Sequence, residues 1–175
     1  MNNFLLRLTV FVILPGLFFT VACTKNHGEN NPVSASLTSH SDCKNSKKNQ
    51  QVSTPADTLS CVEYRYDPVE KILKISHLNA GFNCCPGELD CKADIQNREL
   101  IITESEEEAG CNCMCLFDLE IEITDLEPGI YTLRMAEPYI GQQALLKDTL
   151  DLNAAPSGSF CVVRKDYPYG ASLWR

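Results

Sequence analysis

Apolar and polar residues alternate along most of this chain with a period of two, the pattern of a β-strand that has one buried and one wet face. Residues 116–124 show it most clearly. Phe117, Leu119, Ile121 and Ile123 fall on one side, and Asp118, Glu120 and Glu122 on the other. The same alternation predicts strands over 61–66, ended by Asp67-Pro68, and over 72–78, with Leu73, Ile75 and His77 on one face. Further strands are predicted over 89–95, 99–103, 130–135, 144–152 and 159–164. No stretch carries a convincing helical period. Short strands separated by Gly, Pro and Asn turns predict an all-β fold, an antiparallel β-sandwich.

Residues 126–131, Leu-Glu-Pro-Gly-Ile-Tyr, resemble the tyrosine corner of immunoglobulin-like and fibronectin-type sandwiches. In that motif a tyrosine at the start of a strand bonds back to backbone just upstream. The resemblance implies an immunoglobulin-like sandwich.

The N-terminus breaks the pattern. A short segment with one positive charge, Arg7, precedes an uncharged apolar run over 8–22, interrupted by Pro15-Gly16. The run is shorter than the roughly 20 residues of a membrane-spanning helix and fits a secretory signal. It ends in Thr20-Val21-Ala22-Cys23, which resembles the lipobox of bacterial lipoproteins, with Thr20 where that family prefers Leu. The resemblance implies a signal peptide over 1–22, cleavage after Ala22, and a diacylglyceryl group on the Cys23 thiol, with palmitate among the acyl chains. The chain is then expected in the bacterial cell envelope, on a membrane through its lipid, facing the periplasm or the surface.

Residues 24–57 are rich in Asn, Ser, Thr, Lys and Gln, and contain His27 and His40. Such a composition buries too little apolar surface to offset ordering entropy, so residues 23–57 are expected as lipidated N-terminus and disordered tether. The domain is expected over 58–175. There, ten Lys and Arg face twenty Asp and Glu. That balance argues against nucleic acid and against a second, electrostatic attachment to anionic lipid. The acidic run Glu104, Glu106, Glu107 and Glu108 reads as a solvated loop, and no spaced carboxylates of a calcium loop occur.

Cysteine is the distinctive residue type. Beyond Cys23 stand Cys43 in the expected tether and Cys61, Cys84, Cys85, Cys91, Cys111, Cys113, Cys115 and Cys161 in the domain. In an oxidising compartment eight such cysteines predict a disulfide-rich domain, with Cys43 left over. An extended Cys111-Asn112-Cys113-Met114-Cys115 puts three sulfurs on one face, facing partners from Cys84, Cys85, Cys91 and Cys61 or Cys161. The alternative is a soft-metal site for copper or zinc, built from Cys111, Cys113 and Cys115 with Cys84, Cys85 and His77. No C-x-x-C pair is present to suggest thioredoxin-like chemistry. Residues 82–85, 111–119 and 167–170 are similar to cysteine-rich exported bacterial proteins of unassigned activity.

No Gly-x-Ser-x-Gly elbow, His-Glu-x-x-His or phosphate-binding glycine loop occurs, and no nucleophile lies near His77 in sequence. Tyr167, Pro168, Tyr169, Gly170 and Trp174 read as aromatics closing one end of the sandwich. The expected role is therefore a membrane-anchored structural or interaction module without inferred catalysis, whose partner is an envelope protein or surface ligand.

Overall fold

The computed structural model describes residues 33–44, 55–107 and 110–165. They form nine strands and no helix: β1 (Ser34–His40), β2 (Leu59–Asp67), β3 (Ile72–Asn83), β4 (Leu89–Gln96), β5 (Glu99–Glu106), β6 (Met114–Thr124), β7 (Ile130–Ala136), β8 (Lys147–Asp151) and β9 (Ser157–Val163). Each stretch with apolar alternation is a strand. The expected signal peptide, Cys23 and the aromatics beyond residue 165 lie outside the described residues.

Two sheets face each other. Sheet A runs β1-β6-β3-β2-β9 and sheet B runs β4-β5-β7-β8. Sheet A is antiparallel throughout. Sheet B is mixed, because β7 joins β5 in parallel while β4 and β8 pair antiparallel at its edges. The fold is thus the expected disulfide-rich β-sandwich with one parallel pairing inside it. Between the sheets sit Leu73, Ile75, Phe82, Leu119, Ile121 and Ile123 from sheet A and Leu100, Ile102 and Leu133 from sheet B, all at most 1–2 % exposed. Burial of such side chains contributes roughly 1.5–3 kcal/mol each.

The expected tyrosine corner is formed. Tyr131 Oη donates to Glu127 O at 2.9 Å, and the buried Tyr66 Oη donates to Leu126 O at 2.7 Å. Two phenols thus satisfy the backbone of one connecting loop. A Cβ at Gly129 would stand 3.2 Å from the Tyr131 ring, so the glycine lets the loop pass close beneath it.

The expectation of a disordered tether up to residue 57 is corrected. Inside it, β1 pairs with β6 from Ser34↔Thr124 to His40↔Leu119. Val33, Ala35 and Leu37 pack against the core. The sparse apolar residues of this segment escape a composition count, yet Ala35 and Leu37 share one strand face. The backbone partner comes from β6, a distant part of the sequence, as in the pair Ser34↔Thr124. Beyond β1, Lys44 pairs with Asp118 and donates to Asn79 Oδ1 at 2.9 Å. Asn79, at a positive φ of 64°, sits where the β3/β6 register slips between His77 and Ala80. Its buried amide donates to Leu59 O at 2.7 Å and Ala56 O at 3.1 Å, fastening the entry to β2.

Candidate functional site: a buried ionic layer and four cross-links

The inward phase of five strands does not end on an apolar residue. On β3, Leu73 and Ile75 lead to His77; on β5, Leu100 and Ile102 lead to Glu104. Past β7, Leu133 and Met135 lead to Glu137, and past β9, Phe160 and Val162 lead to Arg164. On β2, Ser60 lies in phase with Val62 and Tyr66. All five polar residues are buried. Sheet A and its extension supply Ser60, His77 and Arg164, and the sheet B strands supply Glu104 and Glu137.

They meet in one network. His77 Nδ1 lies 2.6 Å from Glu104 Oε1, and its Nε2 lies 3.0 Å from Ser60 Oγ and 3.8 Å from Glu137 Oε1. Arg164 Nη2 donates to Glu137 Oε2 at 2.5 Å and to Ser60 Oγ at 3.2 Å, and Nη1 donates to Ala144 O at 2.6 Å. Three ion pairs therefore bridge the sheets where a sandwich ordinarily packs apolar side chains. Taking each ion out of water costs several kcal/mol, which only close, hydrogen-bonded partners offset.

Burial alone would discourage a charge on His77, but the Glu104 carboxylate, by attraction and hydrogen bond, and Glu137 outweigh it, against Arg164. The His77 pKa is held above its ordinary value. Burial raises Glu137, with His77 and Arg164 pulling the other way.

Ser60, His77 and Glu104 have the connectivity of a nucleophile, base and orienting carboxylate. Their chemistry differs. A working serine donates its proton to a neutral imidazole. The pull of Glu104 favours the doubly protonated ring, the form in which Nε2 is a donor towards Ser60 Oγ, and Ser60 Oγ accepts from Arg164 Nη2. Ser60 and His77 are fully buried. The arrangement bridges the two sheets through ion pairs.

Two acidic residues expected in a solvated loop thus do otherwise. Glu104 belongs to this layer. Glu106 accepts from Asn83 N at 3.0 Å and from Tyr139 Oη, which pushes the Tyr139 phenol up to about 12.

The cysteines are paired as Cys43–Cys115, Cys61–Cys161, Cys84–Cys113 and Cys85–Cys111, with Cα separations of 5.6, 4.0, 5.5 and 5.5 Å. Disulfide formation follows the expectation, and two assignments are corrected. Cys43, expected as the survivor, is bridged to β6. Cys91, expected among the paired cysteines, is the free thiol and is buried. Cys91 faces the core from β4 with Leu89, across the ladder from Glu104, and no other cysteine shares that sheet. Burial, then Asp90 and Glu104, push its thiol up to about 12.

The same pairing disperses the soft-metal set. Cys111 and Cys113 precede β6, Cys115 lies in it, and the three go to three different partners. A sulfur in a disulfide is not a thiolate ligand, and His77 is occupied in the ionic layer by Ser60 and Glu104. Among the described residues no three His, Cys, Asp or Glu side chains are grouped to hold a metal. Among those residues, too, no helix is long and apolar enough to cross a membrane.

In comparisons with known proteins, no family model, no curated protein and no solved structure matches this chain.

Proposed function

We propose that this chain is an envelope lipoprotein, held to a membrane through lipid on Cys23, whose β-sandwich acts as a structural or interaction module. The observation that carries the module reading is the placement of the reactive groups. The most triad-like set, Ser60, His77 and Glu104, is sealed between the sheets, and eight cysteines serve as cross-links. Among the described residues, sheet surface, strand edges and connecting turns face solvent. The lipid attachment is supported by the charged start, the apolar run and Val21-Ala22-Cys23. A lipoprotein carries several acyl chains, and stable anchoring needs more than one.

The test is the Cys23→Ser variant of the full chain, followed by fractionation, by gel mobility of the processed form and by metabolic labelling with palmitate. Loss of label, with release from membranes or accumulation of the unprocessed form, is the expected result. A variant that still sediments with membranes at its normal size overturns the anchored reading.

A further inference from the structure

The four strands at the sheet edges differ in their protection. In sheet B, β4 carries Asp90, Lys92 and Asp94, and β8 carries Lys147, Asp148 and Asp151. Such charges blunt an edge against pairing with another chain. In sheet A, β1 is followed by the Cys43–Cys115 cross-link and shows a register slip between Leu37 and Ser39, a further device that spoils an edge. The remaining edge, β9, is Ser-Gly-Ser-Phe-Cys-Val-Val. It has no charge, no proline and no bulge in its seven pairs with β2.

The hydrogen-bond phase shows which backbone groups it offers. Arg164 N donates to Thr58 O, and Tyr66 N donates to Pro156 O. Even-numbered residues of β9 are therefore bonded to β2, and the odd-numbered ones turn their N–H and C=O outward. Ser157, Ser159, Cys161 and Val163 are exposed, Val163 at 66 %. Among the described residues nothing pairs with this side of the strand. Cys61–Cys161 joins the strand covalently to β2 within an uninterrupted register.

We infer that β9 is a strand-addition surface and that its occupant is β9 of a second copy of this chain. The two strands run antiparallel about a two-fold axis and join two sheets A into one continuous sheet. The choice of occupant rests on self-complementarity. An antiparallel two-fold pairing sets each residue against a residue of the same strand. A strand with a charge repels its mate or needs a partner of opposite sign; β9 has none, and a two-fold register centred on Phe160 sets the strand only against its own Ser, Gly, Phe, Cys and Val. This names a partner for the interaction role proposed above, and it does not need the lipid on Cys23.

The experiment is sedimentation of the purified full chain in detergent over a range of concentrations, with hydrogen exchange resolved along 157–163. Wild type is expected to shift from monomer to dimer as concentration rises, with protection of the Ser159, Cys161 and Val163 amides rising in step. Ser159→Lys and Ser157→Lys each bring two like charges, one from each copy, into the otherwise uncharged joined edge. Each is expected to leave monomer at every concentration, with the thermal midpoint of the monomer unchanged. Lys92→Ala, on the charged edge β4, is expected to dimerise as wild type does. A chain that stays monomeric with freely exchanging 157–163 amides overturns the self-pairing, as does a dimer that both lysine variants leave intact. Neither result bears on the Cys23→Ser fractionation, so the two readings fail separately.

Discussion

The acids that raise the His77 pKa reach it from the other sheet, so its protonation is coupled to whether the sheets are packed. The charged and polar groups facing it are Glu104 from β5, Glu137 beyond β7, Arg164 beyond β9 and Ser60 from β2. A histidine with a folded pKa above the ordinary 6.5 stabilises fully below that value and loses the contribution as pH rises through the folded pKa. Glu137, raised from 4.5, slopes the same way from a lower starting pH. The urea midpoint is therefore expected to fall as pH rises from about 6 towards 9, and His77→Gln is expected to flatten that dependence. A wild-type midpoint that climbs over the same window, or equal slopes in the two proteins, would count against a charged His77. Removing the imidazole also leaves Glu104 buried without its cation, so the variant is expected to lose roughly 3–5 kcal/mol near neutral pH. The layer was partly legible in advance. His77 follows Leu73 and Ile75 in phase, and Glu104 follows Leu100 and Ile102 equally well. Glu104 is read as loop only when its neighbours Glu106, Glu107 and Glu108 are weighed by composition rather than by phase. That Ser60 and Arg164 join them depends on the β2/β9 register, which no local pattern encodes.

At the scale of elements, strands with strong alternation were readable because burial of one face is a local property of sequence. The strand β1 was not, because its stability is borrowed. Ser34–His40 has two larger apolar contacts, Ala35 and Leu37, and forms only where β6 supplies a ladder. Cys43–Cys115 spans 72 residues of sequence and holds the segment there. Closing loops of that length typically stabilises by about 2–4 kcal/mol. Cys43→Ser is expected to lower the unfolding free energy by that order and to raise the exchange rates of β1 amides more than those of β5 or β7. It also leaves Cys115 as a second free thiol. If β1 amides exchange as in wild type, the strand holds without its cross-link and the bridge acts elsewhere. The tyrosine corner shows the opposite case, an element whose tertiary bond is written within six residues. There the turn residues, the strand start and the acceptor carbonyl are neighbours in sequence, so local reading sufficed.

For the whole molecule, the disulfides and the lone thiol report on how the sandwich opens. All four bridges belong to sheet A and the segments that flank its strands. Cys61–Cys161 lies within sheet A, between β2 and β9, and Cys43–Cys115 ties the segment after β1 to β6. Cys84–Cys113 and Cys85–Cys111 tie the chain leaving β3 to the chain entering β6. None crosses to sheet B. The cohesion between sheets therefore rests on apolar packing and on the ionic layer, and Cys91 stands at that interface from the sheet B side. A buried thiol whose pKa is pushed up to about 12 is inert to alkylation until the sheets part. Protein unfolded in denaturant without reductant is expected to show one reactive domain thiol, Cys91, and the folded protein none. Labelling measured against denaturant is then expected to give an opening free energy equal to that of global unfolding, because exposing Cys91 requires separating the faces that bury Leu100, Ile102 and Glu104. An opening free energy far below the global value would mean that β4, an edge strand, detaches alone. Three or more reactive domain thiols after unfolding would refute the four-bridge pairing itself. With Cys91→Ser as the blank, the label isolates this one position and turns the odd cysteine into a direct measure of how firmly an uncross-linked sheet is held.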